Sequence, residues 1–325
     1  MAREIDLEQW QAELVDAFHW GEQERARTLV ATLREAQPRR AQRVLEHMLQ
    51  SPDGKVRQAA AFGLGELGGS TSAKRLEQQL LLEESRGDHD ASSVVQVITQ
   101  TLSHLKSASA RATLVRRLNR LAAGKPVASD VDDLTYAIWR KRHPEMIHAV
   151  REALERIAPP ASEGLQALLR LLESSPEQLR AWIEDESVPV EQKTKVLTML
   201  DEEVPDELVP LLPSFIFLAG SIIEVASTRK GQERRFCDRL FTLLLLHRER
   251  LFPALPFKAR TVLREVARSM AAAPEAIRII KAATLLEYVG HREDADLLAE
   301  HKPRDEVLGR VYEDAVEVLR KLPHD

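Results

Sequence analysis

Residues 53–80 read DGKVRQAAAFGLGELGGSTSAKRLEQQL, and one apolar spacing occurs twice in this stretch. In the first half, apolar residues recur every three or four positions, which places them on one face of a helix. They are Val56, Ala60, Leu64 and Leu67. Gly68 and Gly69 interrupt the pattern, and Leu76 and Leu80 resume it. The stretch therefore predicts a helix, a tight turn and a second helix.

The same spacing recurs in later parts of the chain. At a shift of 38 residues, the apolar positions of the first stretch meet Val94, Ile98, Leu102, Leu105, Leu114 and Leu118. At a shift of 222 residues, they meet Ala282, Leu286, Val289, Ala295 and Leu298. A period in the high thirties in a helix-rich chain is typical of a solenoid, because a lone helix pair cannot bury both of its faces.

A sequence motif accompanies the first repeat. Asp-x-x-Val-Arg-x-x-Ala-x-x-x-Leu-Gly is present at Asp53, Val56, Arg57, Ala60, Leu64 and Gly65. This pattern resembles a HEAT-like repeat, of the kind also found in phycobilisome lyases. The match is partial at 91–122 and 275–301, where Val95 and Ile279 replace the arginine. The resemblance implies a structural role for Asp53 and Arg57, at the turn between helices and on the stacking surface.

Composition agrees with an all-helical fold. The 325 residues are 44% hydrophobic and 30% charged, and leucine, alanine, glutamate and arginine, which favour helices, predominate. We expect a single right-handed α-solenoid over residues 1–325, with about sixteen helices. Its best repeats are predicted at 53–84, 91–122 and 275–301, and an irregular middle at 125–270.

The sequence indicates no export signal or membrane anchor. No basic segment followed by an apolar run stands at the N-terminus. The most apolar window, 208–226, contains Pro210, Pro213 and Glu224. We expect this window to form buried helices of a soluble, cytoplasmic protein.

Motifs for catalysis, cofactors and metals are weak. Gly63–Gly68 reads G-x-G-x-x-G, which is the pattern of a dinucleotide site. Such a site needs a strand before the glycines, but the apolar residues before Gly63 have helical spacing. The glycines therefore predict close helix packing and a helix end. Glu145 and His148 form one Glu-x-x-His pair, whereas a di-iron site needs two. Cys237 is the only cysteine, which excludes an intrachain disulfide and a Cys-rich zinc site. We predict no catalytic residue, cofactor or metal.

Charge is distributed in bands. Residues 106–142 hold nine Lys and Arg against three Asp and Glu, and 229–268 hold eleven against four. Between them, 161–208 hold four basic against twelve acidic residues. Such bands steer charged partners, although the polar faces of helices also carry charge without a binding role. The candidate partner-binding residues are Arg111, Arg116, Arg117, Arg120, Tyr136, Trp139, Arg140, Arg142, Arg234 and Arg235.

Two functions of different classes fit these observations. A solenoid without catalytic motifs predicts a scaffold or adaptor that binds another protein on a concave surface. Alternatively, the HEAT-like resemblance extends to proteins that hold DNA in a basic groove and excise alkylated bases. In that case Trp139, Arg140 and Arg142 would line the groove, with Asp130, Asp132 or Asp133 as the acid. A bilin lyase or its regulatory partner is a third possibility, implied by the repeat resemblance alone.

Overall fold

A computed structural model describes residues 6–225, 231–272 and 276–323, and the chain divides into two compact units, Met1–Leu172 and Glu173–Asp325. The described residues form nineteen α-helices and one 3-10 helix, and no strand. The all-α solenoid is confirmed, although nineteen helices replace the predicted sixteen or so. Short helices such as Arg248–Ala254 and Asp294–Glu300 account for part of the difference, because seven residues are too few to show a clear apolar period.

The first unit is built from α1 to α10. Their bounds are α1 Leu7–His19, α2 Gln23–Ala36, α3 Pro38–Met48, α4 Gly54–Leu67, α5 Gly69–Ser85, α6 Ala91–His104, α7 Ala108–Ala123, α8 Ala128–Arg140, α9 Glu145–Arg156 and α10 Glu163–Glu173, whose last residue lies past the unit boundary. Capping residues start several of them. Asp6 accepts hydrogen bonds from Glu8 N and Gln9 N, and the Ser107 side chain accepts one from Ala110 N.

The helices of the first unit lie in two layers. Helices α2, α4, α6 and α8 pack side by side in one layer, and α5, α7 and α9 do so in the other. Packing of each helix against the second helix after it is the contact pattern of a solenoid. This alternation continues through α8 and α9, which lie inside the range 125–270 where the sequence predicted irregularity.

Apolar side chains of the predicted repeat fill the space between the layers. Leu64, Ile98 and Leu102 have no exposed surface, and neither have Leu114 and Leu118. The glycines of the G-x-G-x-x-G match serve packing, as predicted. A Cβ atom on Gly63 would lie 2.6 Å from Leu45 Cδ2, and Gly68 ends α4 with φ +75°.

Arg57 ties the first complete repeat together. Its side chain is fully buried, with Nε 2.9 Å from Glu83 Oε1 and Nη2 3.3 Å from Asp88 Oδ2. Nη1 donates to the carbonyl oxygens of Ser51 and Pro52, at 3.1 and 2.9 Å. One guanidinium thus joins the turn before α4, helix α5 and the turn before α6. Arg57 therefore holds neighbouring elements of the stack together, and Asp53 caps α4 by accepting from Lys55 N at 2.8 Å.

The second unit has the same two-layer arrangement. Its elements are α11 Pro176–Glu184, α12 Val190–Glu202, the 3-10 helix Asp206–Leu211, α13 Leu212–Val225, α14 Gln232–Leu246, α15 Arg248–Ala254, α16 Phe257–Ala271, α17 Ala276–Val289, α18 Asp294–Glu300 and α19 Glu306–Arg320. Helices α11, α13, α16 and α18 form one layer, and α12, α14, α17 and α19 the other. In the predicted repeat 275–301, residue 275 and the side chain of Ile279 lie outside the described residues. Arg229 and Lys230 of the basic band 229–268 also lie outside them.

Two cations of the second unit repeat the role of Arg57. Lys193 and Arg260 are the fourth residues of α12 and α16, as Arg57 is of α4. Lys193 Nζ donates to the carbonyl oxygen of Asp185 at 2.8 Å, and Arg260 Nη2 donates to that of Phe252 at 2.8 Å. Each cation therefore donates to a carbonyl oxygen at the end of the preceding helix.

A buried carboxylate links α16 to α18. Asp294 is fully buried, and Arg264 Nε donates to its Oδ2 at 2.7 Å while Arg264 Nη2 donates to Oδ1 at 2.9 Å. Burial acts to raise the pKa of Asp294. Hydrogen bonds from Arg264 and from the His291 N–H outweigh that effect, so the pKa lies below its ordinary value.

The apolar window behaves as a helix with one buried face. Leu212, Phe215, Ile216 and Ala219 are buried in the second unit, whereas Phe217 is exposed. By length and composition alone, Asp206–Ile223 is sufficient to cross a membrane, and 39% of this stretch is buried within the protein.

The first prediction concerns the buried pair of Arg57 and Glu83. Changing Arg57→Met leaves the Glu83 carboxylate buried without its cation, and we expect a loss of about 3 kcal/mol in the free energy of unfolding. The double change Arg57→Met with Glu83→Met removes both charges and should cost less than the single change. Urea denaturation of both variants, with the exposed Arg43→Ala as control, tests this. A double variant at least as unstable as the Arg57→Met single variant contradicts it.

The second prediction concerns Asp201, at the end of α12. Burial raises its pKa to about 6, while Arg239 and Lys281 oppose the shift. Its Oδ1 is buried without a hydrogen-bond partner among the described residues. Because the folded-state pKa exceeds the unfolded value, the stability that Asp201 contributes at pH 4 is lost as the pH rises through 6.

Asp201→Asn should therefore be more stable than the natural protein at pH 7.5, by about 1–2 kcal/mol, and lose that advantage at pH 4. Urea midpoints at both pH values measure the difference, with the exposed Asp296→Asn as control. An equal difference at both pH values refutes the prediction.

Candidate functional site

The basic band 106–142 separates into two groups of cations in the structure. The first group is Arg116, Arg117 and Arg120 on α7, and all three pair with carboxylates of α5. Arg116 Nε and Nη2 donate to the two carboxylate oxygens of Glu77 at 2.5 and 2.8 Å. Glu84 accepts from Arg117 Nε at 3.2 Å and from Arg120 Nε at 2.9 Å. These bonds join neighbouring repeats, and we call the three arginines with Glu77 and Glu84 the inter-repeat ladder.

Arg117 is not a surface residue. Its side chain is buried, and Nη1 donates to Thr99 Oγ1 at 2.5 Å. Burial lowers the pKa of the Arg117 guanidinium, against the opposing effect of Glu84. The sequence-based prediction that Arg117 contacts a partner is therefore wrong. Arg117 fills the space between α5, α6 and α7, and Val95 stands on α6 where the HEAT-like motif has arginine.

The second group lies where two helix turns meet at the edge of the first unit. Lys106 is in the turn between α6 and α7, Arg111 is in the first turn of α7, and Arg140 and Lys141 end α8. We call these four residues the turn-edge basic cluster. The dipoles of the helices that end and begin at these turns largely offset one another, so the side chains set the charge of this edge.

The cations of the turn-edge basic cluster repel one another. Partial burial lowers the pKa of Lys141, and the positive charges of Arg111 and Lys106 lower it further. His104, at the end of α6, accepts a hydrogen bond from Arg140 Nη1 at 3.1 Å through Nε2, because a guanidinium has no acceptor atom. Partial burial and the charges of Arg140 and Lys141 lower the pKa of His104 accordingly.

The aromatic residues of the band have a supporting role. Trp139 is only 2% exposed, so the prediction that its ring faces a partner is wrong. The Arg142 guanidinium lies over the Trp139 ring, 4.8 Å from its centroid, and donates to the Trp139 carbonyl oxygen at 3.3 Å. Tyr136 is half-buried on the same face of α8 as Arg140, four residues away.

Glu145 is the acidic neighbour of the turn-edge basic cluster. It begins α9, its side chain is 73% exposed, and its Oε2 is 3.8 Å from Arg111 Nη2 and 3.3 Å from His143 Nδ1. His148 contacts Glu152 instead, at 3.4 Å. The Glu-x-x-His pair therefore does not converge, and the described part of the chain has no group of three residues placed to hold a metal ion.

The acidic residues required by the base-excision alternative lie at the other end of α8. Ten residues separate Asp130 from Arg140, which is about 15 Å along a helix. Asp133 accepts a hydrogen bond from Gln96 at 3.3 Å, and burial raises its pKa. Asp132 lies against Gly164 of α10, so closely that a Cβ atom added to this glycine would be 2.9 Å from Asp132 Oδ1. The structure does not bring these carboxylates together with Trp139 and Arg142.

The remaining candidates belong to the second unit. Arg234 and Arg235 lie in the first turn of α14, where Arg234 is half-buried and Arg235 exposed. Cys237, two residues further, is buried in the core of that unit. These arginines remain predicted binding residues.

Comparison with known proteins gives similarity at the level of solved structures only. No family model and no curated protein matches the chain, so the phycobilisome-lyase type stays a prediction. A crystal structure of an engineered protein is similar with a TM-score of 0.38 and 14% identity, over 98% of this chain and 90% of that one. A chain from a structure of Kap95p binding to RanGDP is similar with a TM-score of 0.38 and 14% identity. The match covers 91% of this chain and less than half, 45%, of that one.

The third prediction tests the inter-repeat ladder. In the natural protein the Arg117 guanidinium pairs with Glu84. Changing Arg116→Glu together with Arg117→Glu replaces this cation with a buried carboxylate next to Glu84. We expect a loss of several kcal/mol, about 3–5, in the free energy of unfolding. Urea denaturation measures this, with Arg43→Glu and Arg156→Glu as a control of equal charge change at exposed sites. Equal urea midpoints for the two double variants would show that the ladder does not hold the repeats together.

Proposed function

We propose that this protein is a non-catalytic adaptor that binds an acidic segment of a partner protein at the turn-edge basic cluster. The observation that carries the proposal is the concentration of Lys106, Arg111 and Lys141 at one edge, where their charges repel one another. Lys106 and Lys141 make no ion pair with any described carboxylate, and Arg111 has only the 3.8 Å approach to Glu145. Repulsion of this kind is relieved when an acidic group binds between the cations.

The neighbouring surface favours a protein segment over a nucleic acid. Duplex DNA presents a phosphate charge about every 1.7 Å, so a protein that holds it needs cations over a long track. The arginines of the inter-repeat ladder begin more than one helical turn after Arg111 on α7, and Glu77 and Glu84 neutralise them. The positive surface therefore ends close to the loop between α6 and α7. The net charge of −5 also disfavours a general affinity for nucleic acid. A short acidic segment fits the extent of the cluster.

The architecture supports a binding role without catalysis. Stacked helix pairs form extended surfaces, and such proteins bind partners through many modest contacts with a few anchors. Lys106 and Glu145 are exposed, and Lys141 and Arg111 are half-buried. A partner can therefore reach their charged groups, while the half-buried side chains are already partly ordered and lose less conformational freedom on binding.

The fourth prediction is a capture experiment with matched charge changes. The tagged natural protein should retain a stoichiometric partner protein from a nuclease-treated native lysate. Lys106→Glu with Lys141→Glu should lose that partner, because two of the three central cations are reversed. Arg43→Glu with Arg156→Glu, which changes the net charge equally at exposed sites away from the cluster, should keep it. Mass spectrometry identifies and quantifies the bound protein.

Two results would contradict the proposal. If nuclease removes all bound material, the cluster serves nucleic acid. If both double variants lose the partner equally, net charge and not the cluster determines binding.

A further inference from the structure

Glu145 is held loosely for a carboxylate beside so many cations. Its distance of 3.8 Å from Arg111 Nη2 is too long for a hydrogen bond. Its other neighbour is His143 Nδ1, at 3.3 Å, and that nitrogen faces the backbone N–H of Glu145, also at 3.3 Å. A nitrogen that accepts from this N–H has no proton to offer the carboxylate. Glu145 thus sits near the cluster without a strong bond to it.

Arg111 also lacks partners for its donors. Its Nε is buried without a hydrogen-bond partner among the described residues. An unsatisfied buried donor costs about 1–3 kcal/mol, and more when the group is charged. Beside it, Lys106 and Lys141 each carry three donors and make no hydrogen bond to the described side chains. The edge therefore has more positive charge and more donors than one glutamate can satisfy.

The ligand that matches this surplus is a dianion with several oxygen acceptors. A phosphorylated side chain carries about −1.5 to −2 charges and three strong acceptor oxygens at neutral pH. Arginine and lysine together provide both directional donors and mobile point charges for such a group. A carboxylate supplies one charge and two oxygens, which explains why Glu145 leaves the cluster unbalanced.

We propose that the turn-edge basic cluster binds a phosphoryl group on a side chain of the partner, and that Glu145 occupies the place of this group in the unbound protein. This inference rests on the proposed function and narrows its ligand from an acidic segment to a phosphorylated one. On binding, the phosphoryl oxygens contact Lys106, Lys141 and Arg111, and the Glu145 side chain, which is exposed, turns into solvent. Phosphorylation of the partner then switches the association on.

The experiment is a binding titration with three matched peptides. A fluorescein-labelled acidic peptide is prepared with phosphoserine, glutamate or serine at one position, and fluorescence anisotropy gives each Kd for the 325-residue protein. We expect the phosphoserine peptide to bind at least tenfold more tightly than the serine peptide, with the glutamate peptide between them. Inorganic phosphate and a single-stranded oligonucleotide, added as competitors, distinguish free phosphate and nucleic acid from a phosphorylated protein segment.

Glu145 supplies the decisive variant. Removing its charge with Glu145→Gln should tighten binding of the phosphoserine peptide two- to fivefold, because the competing carboxylate is gone. Lys106→Gln with Lys141→Gln should weaken it at least tenfold, whereas Arg43→Gln with Arg156→Gln should change it less than twofold. A glutamate far from the cluster would not produce this gain, because salt screens charges beyond about 8 Å at physiological ionic strength. Equal binding of the phosphoserine and serine peptides, or no gain from Glu145→Gln, overturns the inference.

The two proposals fail differently. If capture of the partner from lysate depends on Lys106 and Lys141 but survives phosphatase treatment, the adaptor function stands and the phosphoryl inference is wrong. If capture is insensitive to the charge of the cluster, the proposed function itself is wrong, whatever the peptides show. Loss of capture after phosphatase treatment, together with the peptide preference, supports both.

Discussion

The buried guanidinium of Arg57 is the interaction on which the rest of the first unit depends. A stack of helix pairs gains most of its stability from apolar contacts, but such contacts have no direction and do not by themselves select one register. Arg57 adds direction, because its donors reach two carbonyl oxygens before α4 and carboxylates of Glu83 and Asp88 beyond it. A shift of one helix against the next would leave a charge buried without its partner, which is far more costly than an imperfect apolar contact. The ion pair of Arg57 and Glu83 therefore contributes more to selecting one register of the helices than to the total free energy of unfolding.

The stack solves the same problem with other residues in its other repeats. Between α5 and α7 the cation comes from the second layer, as Arg117, and pairs with Glu84 and Thr99. In the second unit Arg264 binds Asp294 between α16 and α18, and Lys193 reaches the Asp185 carbonyl before α12. What is common to these sites is a buried cation that donates to an acceptor of another element. The residue type and its place in the repeat vary, so the chain keeps one architecture with little repetition of sequence.

This variation explains which parts of the fold could be predicted from the sequence. The spacing of Leu64, Ile98 and Leu114 follows from burial and identified the helix pairs directly. The motif at Asp53 and Arg57 is local, because Asp53 caps the helix that contains Arg57 and spacing determines their geometry there. Arg117 was placed on the surface, since its partner Glu84 lies 33 residues earlier and position 95 holds valine. A search for acidic residues about one repeat before each arginine would have found both Glu77 and Glu84.

The positions of Lys193 and Arg260 could not be deduced in the same way. Lys193 and Arg260 each follow a proline by four residues, at Pro189 and Pro256, whereas Arg57 follows Pro52 by five. Neither has a valine immediately before it, as Arg57 has. Their role depends on the path of the preceding turn, which is a tertiary property. The burial of Asp201, which raises its pKa, likewise arises from packing that no local pattern shows.

The division between structural and binding charges follows from this architecture. Solvent-facing positions on the sides of the helices lie next to another repeat, so charges there find partners one period away, and Arg116 and Arg120 are engaged in that way. Positions at the turns have a neighbour on fewer sides, because the chain reverses there and the next repeat offers another turn. A cation at a turn is thus retained without a structural partner, as Lys106 and Lys141 are among the described residues. In a solenoid rich in charge, charge density alone does not locate a binding surface. Unpaired cations that lie close together are the better indicator, and in the first unit Lys106 and Lys141 do so, at the turns before α7 and α9.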